Sequence, residues 1–133
     1  MTPDKDFTAL LKKAREKLKT ALIDMENKRF EDSISRSYYA VYHAISACLL
    51  SKDLVFSSHN QTIGAFNKEF IRQGIFKKEF TKIIQSMFED RQSGDYDAYF
   101  ESDEGQAKKH YDNAGIIIES IKEYLDRWNG TAH

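Results

Sequence analysis

Apolar residues recur at helical spacing along almost the whole chain, and this periodicity leaves little room for any fold but a helical one. Phe7, Leu10, Leu11, Ala14, Leu18, Ala21, Leu22 and Met25 form one stripe, with Lys12, Lys13, Arg15 and Lys19 largely off it. The spacing predicts a first amphipathic helix over about residues 4–26. After the polar break Asn27-Lys28-Arg29, a second helix runs from about Glu31 to Ser51. It is apolar or aromatic on several sides between Tyr38 and Leu50, as expected of the central helix of a bundle.

Ser58, followed three residues later by Gln61, has the pattern of a capping box and opens a third helix. Gly74 suits the left-handed residue that ends it. A fourth helix spans about Lys77 to Gln92 and turns Phe80, Ile83, Ile84, Met87 and Phe88 inward, with Gly94 as its stop. A loop, SGDYDAYFES, then leads to Ser102 or Asp103, either of which suits the N-cap of a last helix. That helix carries Ala107, Tyr111, Ala114, Ile117, Ile118, Ile121, Leu125 and Trp128 on one side.

No strand-like alternation persists, and the one proline is Pro3. Short connections favour antiparallel neighbours. The expectation is an all-α, antiparallel, up-and-down bundle of four long helices plus a shorter fifth. With 133 residues and no linker-like stretch, residues 1–133 read as a single domain able to bury its own core.

Composition excludes several function classes. Twenty basic against twenty-one acidic side chains do not hold nucleic acid by overall charge, so any RNA contact has to be local. One cysteine, Cys48, inside an apolar run, permits no intrachain disulfide and reads as a small buried hydrophobe. No spacing resembles a zinc, calcium, phosphate-loop or dinucleotide motif, so no metal or organic cofactor is expected. The N-terminal region lacks the apolar segment of a signal peptide, and no stretch is long enough to cross a bilayer; the expectation is a cytoplasmic protein.

Two constellations are able to carry chemistry. Arg36, Tyr39 and His43 recur on nearly one helical face, and such a cation and imidazole suit gripping a phosphate and moving a proton. The plainer alternative is that the Tyr and His polar groups satisfy one another inside the bundle while Arg36 pairs with a carboxylate. The second is Phe88-Glu-Asp-Arg91-Gln-Ser-Gly94-Asp95-Tyr96-Asp-Ala-Tyr99. Here Arg91 stands among Glu89, Asp90, Asp95, Asp97, Glu101, Asp103 and Glu104. Those carboxylates either oppose an RNA backbone or simply cap the last helix and complement its dipole. His59, beside Ser57 and Ser58 at a helix start, reads as part of a cap rather than an anion site, and His110 has no evident partner.

The order of these pieces resembles the HEPN family. A basic amphipathic first helix is followed by RSYYAVYHA and an apolar run, then SSHNQTIGAFNKEFIRQGIF, FEDRQSGDYDAY and a last helix with an acidic start. The likeness spans about Leu10 to Leu125. It implies a four- or five-helix bundle that dimerises, often encoded beside a minimal nucleotidyltransferase as toxin and antitoxin.

In catalytic members an arginine, followed after four to six residues by a histidine, cuts RNA without metal at a composite dimer site. Carried onto this chain, the arginine is Arg91, and Tyr96 stands where the shorter spacing puts the histidine. Tyr99 lies near a tyrosine that the partner enzyme modifies with adenylate in some members. Two functions follow from the resemblance. One is a metal-independent endoribonuclease toxin using Arg91, Asp95 and Tyr96, with Arg36 and His43 contributing from the helix beneath. The other is a non-catalytic module that binds a nucleotide or a nucleotidyltransferase partner.

Overall fold

A computed structural model describes residues 7–131, with side chains described as far as residue 127. Residues 1–6, where the first helix was expected to begin, and the side chain of Trp128 lie outside this range. The helices are α1 (Phe7–Glu26), α2 (Phe30–Leu50), α3 (His59–Phe66), α4 (Glu79–Tyr96) and α5 (Glu104–Thr131). Among the described residues there is no strand, and the fold is the all-α bundle of four long helices with one shorter helix, α3.

Helix α2 is the axis of the bundle and packs against α1, α3, α4 and α5. Its apolar run makes this possible: Ile34, Tyr38, Val41, Ile45 and Leu49 are each at most 2% exposed. Burying each such side chain stabilises the fold by about 1.5–3 kcal/mol.

Three chain reversals share one physical device. Lys28, Asp53 and Gly74 all have positive φ, at 62°, 60° and 78°. In each case the next residue's N–H reaches back five positions: Arg29 to Asp24, Leu54 to Leu49, and Ile75 to Phe70. These bonds satisfy carbonyls that the helix end leaves open. Gly74 takes the left-handed conformation read from the sequence, whereas Lys28 and Asp53 adopt it without glycine's freedom, held by the same bonds.

The helix starts are also local in origin. Ser58 Oγ accepts the Gln61 N–H at 3.0 Å and opens α3. Asp103, rather than Ser102, caps α5: its carboxylate accepts the Gln106 N–H at 2.8 Å, while Gln106 Oε1 accepts the Asp103 N–H at 3.3 Å. Beyond Phe66, α3 widens into a π-helical turn over Asn67–Ile71, which buries Phe70 and Ile71.

Helix α4 departs from the expected boundary. It runs through Gly94 to Tyr96 and ends where Asp97 turns to extended backbone, at φ −109° and ψ 108°. The Arg91–Asp95 ion pair spans this last turn. Gly94 lies within it, near Glu31 and the ring of Phe100. Asp95 and Tyr96 are thus helical residues, not members of a loop.

Candidate functional site

The buried stripe of α4 reads Phe80, Ile84, Met87, Arg91. Helical spacing carries the apolar face directly onto a cation, and Arg91 is 8% exposed. Its guanidinium carbon lies 5.0 Å from the centre of the Tyr38 ring, 5.2 Å from Tyr39 and 5.8 Å from Phe88. Aromatic faces offset part of the cost of removing the charge from water. Nη1 donates to Asp95 at 3.1 Å, and Nε has no hydrogen-bond partner. Burial opposes the charge, but the Asp95 hydrogen bond and the neighbouring Tyr39, Tyr38 and Asp95 hold the arginine pKa above its ordinary value.

His59, the first residue of α3, enters the same cluster from 32 positions away in sequence. Its Nδ1 is 2.8 Å from the Tyr38 hydroxyl and 3.5 Å from Arg91 Nη2. The imidazole stacks on Tyr42, with ring centres 4.2 Å apart and planes at 24°. Tyr42 is itself tethered by its hydroxyl, 3.2 Å from Thr62 Oγ1. Burial, together with Arg91, lowers the His59 pKa below its usual value. Burial also pushes the Tyr38 phenol up to about 12, against the opposing pull of Arg91. At neutral pH the cluster therefore holds a cationic arginine, a neutral imidazole and a protonated phenol.

The other candidate residues are distributed differently. Asp95 is paired with Arg91 and keeps 38% of its side chain exposed. Tyr96 is 77% exposed and Tyr99 is 93% exposed. Arg36 is an exposed residue of α2. His43, half-buried, has its pKa lowered by burial and by Lys13 and Lys17, so its charged surroundings belong to α1. Tyr39 is the member of the Arg36, Tyr39 and His43 set that lies against Arg91.

The acidic segment around Arg91 has mostly structural work. Asp97 accepts the Tyr99 N–H at 2.9 Å, Asp103 caps α5, and Glu89 accepts from Gln85 at 3.1 Å. Asp90 lies 2.7 Å from Nε2 of His110, which is 2% exposed. His110 thus has a partner that the sequence did not disclose, and His110 rather than Tyr111 is the buried residue at that step of the α5 stripe.

Among the described residues no three or more His, Cys, Asp or Glu side chains converge in the manner of a metal site. None of the described helices is long and apolar enough to cross a membrane. Cys48 is fully buried, and burial pushes its thiol pKa up, which keeps it an unreactive hydrophobe.

One more step along the stripe from Met87 reaches Arg91, a signal for an interior position that was missed among the surrounding carboxylates. Nothing in the local sequence pointed to His59 as its neighbour. That contact depends on how α3 crosses α2.

The model of the HEPN domain family matches residues 7–124. A UPF0332 protein of Thermotoga maritima is 36% identical over 115 residues, covering 86% of this chain and 87% of its own. A protein of Methanocaldococcus jannaschii named as a candidate toxin is 31% identical over 120 residues, covering 90% of this chain and 89% of its own. A second candidate toxin from the same organism is 30% identical over 91% of this chain and 82% of its own. The crystal structure of TT1696 from Thermus thermophilus superposes with a TM-score of 0.73, covering 88% of this chain and 96% of that one. At 15% identity that likeness concerns the fold.

Proposed function

The chain belongs to the HEPN domain family, and on that premise we propose that it is a metal-independent endoribonuclease acting as the toxin of a toxin–antitoxin pair, with a minimal nucleotidyltransferase as partner. The observation that carries this reading is the buried Arg91 guanidinium, with Nε unpartnered and an imidazole 3.5 Å away. A charge held in the interior with incomplete hydrogen bonding is costly to the fold. Its value lies in stabilising charge that appears on another molecule.

In the proposed reaction the RNA 2′-oxygen bonds to phosphorus and the bond from phosphorus to the 5′-oxygen breaks. The 2′ proton passes to solvent, and a solvent proton completes the released 5′-hydroxyl, leaving a 2′,3′-cyclic phosphate. Arg91 stabilises the negative charge on the phosphorane, and a fixed donor in a desolvated site is effective at this. Asp95, exposed enough to swing aside, yields Nη1 to the phosphate. Two copies of the chain pair with Arg91 and Tyr96 of each near the shared face, and the exposed Tyr96 and Tyr99 supply aromatic surface for that contact. The exposure of Tyr99 also suits modification by the partner enzyme.

A second reading, a non-catalytic module that binds a nucleotide or the partner, is favoured by Tyr96 at the family's histidine position and by the closed Arg91–Asp95 pair. Incubation of purified protein with cellular RNA, with and without EDTA, separates the two. Cleavage that survives EDTA and falls by about 10²–10³-fold in Arg91→Ala is expected; an uncleaved RNA pool with the wild type leaves the module reading. Light scattering that gives a 15.5 kDa monomer at micromolar concentration removes the dimer.

A further inference from the structure

The side-chain arrangement around Nδ1 of His59 determines which nitrogen of that ring carries the proton. Arg91 Nη2, 3.5 Å away, has hydrogens and no lone pair to offer, so it can only donate. The Tyr38 hydroxyl, 2.8 Å away, faces the same nitrogen. A proton on Nδ1 would point at a cation and displace the phenolic hydrogen from its best acceptor. The ring is therefore neutral with its hydrogen on Nε2, and Tyr38 donates to Nδ1. Stacking on Tyr42 restricts the ring plane, and the start of an eight-residue helix disfavours a further positive charge there. Among the described residues Nε2 has no protein partner, and the residue is half-buried rather than enclosed.

We infer that His59 is a neutral hydrogen-bond donor, through Nε2–H, to a phosphoryl group bound beside Arg91, and that Tyr38 is the positioning residue that fixes its tautomer. The inference rests on the proposed action at a phosphodiester. It gives His59 a different task from a proton shuttle: a neutral imidazole N–H is a poor acid, but a fixed donor still stabilises charge that develops on a phosphoryl oxygen. The imidazole comes from a different helix than Arg91, so the site joins α3 to α4 across the tyrosines of α2. Tyr96 need not replace it.

Nitrogen-15 NMR of the full chain reads the tautomer directly. At pH 7 the expected spectrum has His59 protonated on Nε2 and bare on Nδ1, with Tyr38→Phe allowing the other tautomer to appear. Titration with inorganic phosphate is expected to shift the Nε2 resonance in the wild type and to leave it unmoved in Arg91→Ala. A proton on Nδ1, a doubly protonated ring, or no response to phosphate in the wild type overturns the inference whether or not the protein cleaves RNA.

Cleavage adds an independent readout. His59→Ala is expected to lose at least about a hundredfold in rate, while His59→Gln, whose amide nitrogen reaches the position of Nε2, stays within about tenfold of wild type. A glutamine variant as inactive as alanine would make His59 a proton-transfer group and overturn the assignment. An inactive wild type with the expected tautomer and phosphate response would sink the nuclease reading alone.

Discussion

Two aromatic clusters sit at opposite ends of α3 and α4, and they are built to different standards. At one end Phe70, Phe66, Phe76 and Phe80 stack in that order, with Tyr124 set edge-on against Phe70 and Phe76. Phe66 and Phe70 are fully buried, and Lys52 covers Phe70 from outside with its ammonium 4.8 Å from the ring centre. At the other end Tyr38, Tyr39, Tyr42 and Phe88 surround an imidazole and a guanidinium. The first cluster keeps its cation on the rim. The second brings one inside and leaves Nε without a partner. Ring count does not distinguish a core from a candidate site; the polar groups that the rings are made to accommodate do.

The strongest way to break this comparison is to cut each cluster at its centre. Phe66→Ala is expected to cost about 4 kcal/mol of stability, as for other large aromatic truncations in well-packed cores, and to leave the rate per folded molecule unchanged. Urea denaturation and an RNA-cleavage assay corrected for folded fraction check both halves. A variant that keeps its stability would mean the phenylalanine stack is not a core.

Arg91→Ala is expected to behave in the opposite sense. On the proposed nuclease reading, RNA cleavage should fall by about 10²–10³-fold, the usual scale for a lost charge-stabilising donor. Stability should fall by only about 1 kcal/mol, since lost packing on three rings is offset by relief of an incompletely paired buried charge. Arg91→Lys should be nearly as inactive, because an ammonium lacks the planar fork. A destabilisation as large as that of Phe66→Ala would merge the two clusters into one structural core.

A pH titration of stability sharpens the contrast. The folded pKa of His59 is lowered by burial and by Arg91, and that of His43 by burial, Lys13 and Lys17. The unfolded chain therefore binds more protons than the folded one between each depressed pKa and the free value near 6.5, and stability rises with pH across that window. Stability contributed by these neutral rings should be present above about pH 6.5 and be lost as pH falls through the folded values. His59→Gln should flatten part of the slope and His43→Gln another part. An unchanged slope in His59→Gln would mean that its ring is not held neutral.

The smallest effect expected is at Gly94. A Cβ added there meets Glu31 and the Phe100 ring at 3.8 Å, ordinary van der Waals distance. Since the residue is inside α4, Gly94→Ala should stabilise the protein by about 0.5–1 kcal/mol. A lowered melting temperature would show that the last turn of α4 needs the glycine's freedom.

What the sequence by itself determined is the local part of this protein. The apolar stripes specify five helices, Ser58 specifies one start and the Ser102-Asp103 pair narrows another, and Gly74 specifies an end, because each effect acts within a few residues along the chain. The stop expected at Gly94 failed for a related reason: glycine merely permits a helix to end, and the Arg91–Asp95 pair carries this one onward. Tertiary structure alone decided the meetings between distant residues. Arg91 finds His59 across 32 positions, Tyr38 finds His59 across 21, and His110 finds Asp90 across 20. Periodicity tells which side of each helix faces inward. How far each helix slides along its neighbour, and so which polar groups meet on those inward faces, is decided by packing the whole core at once.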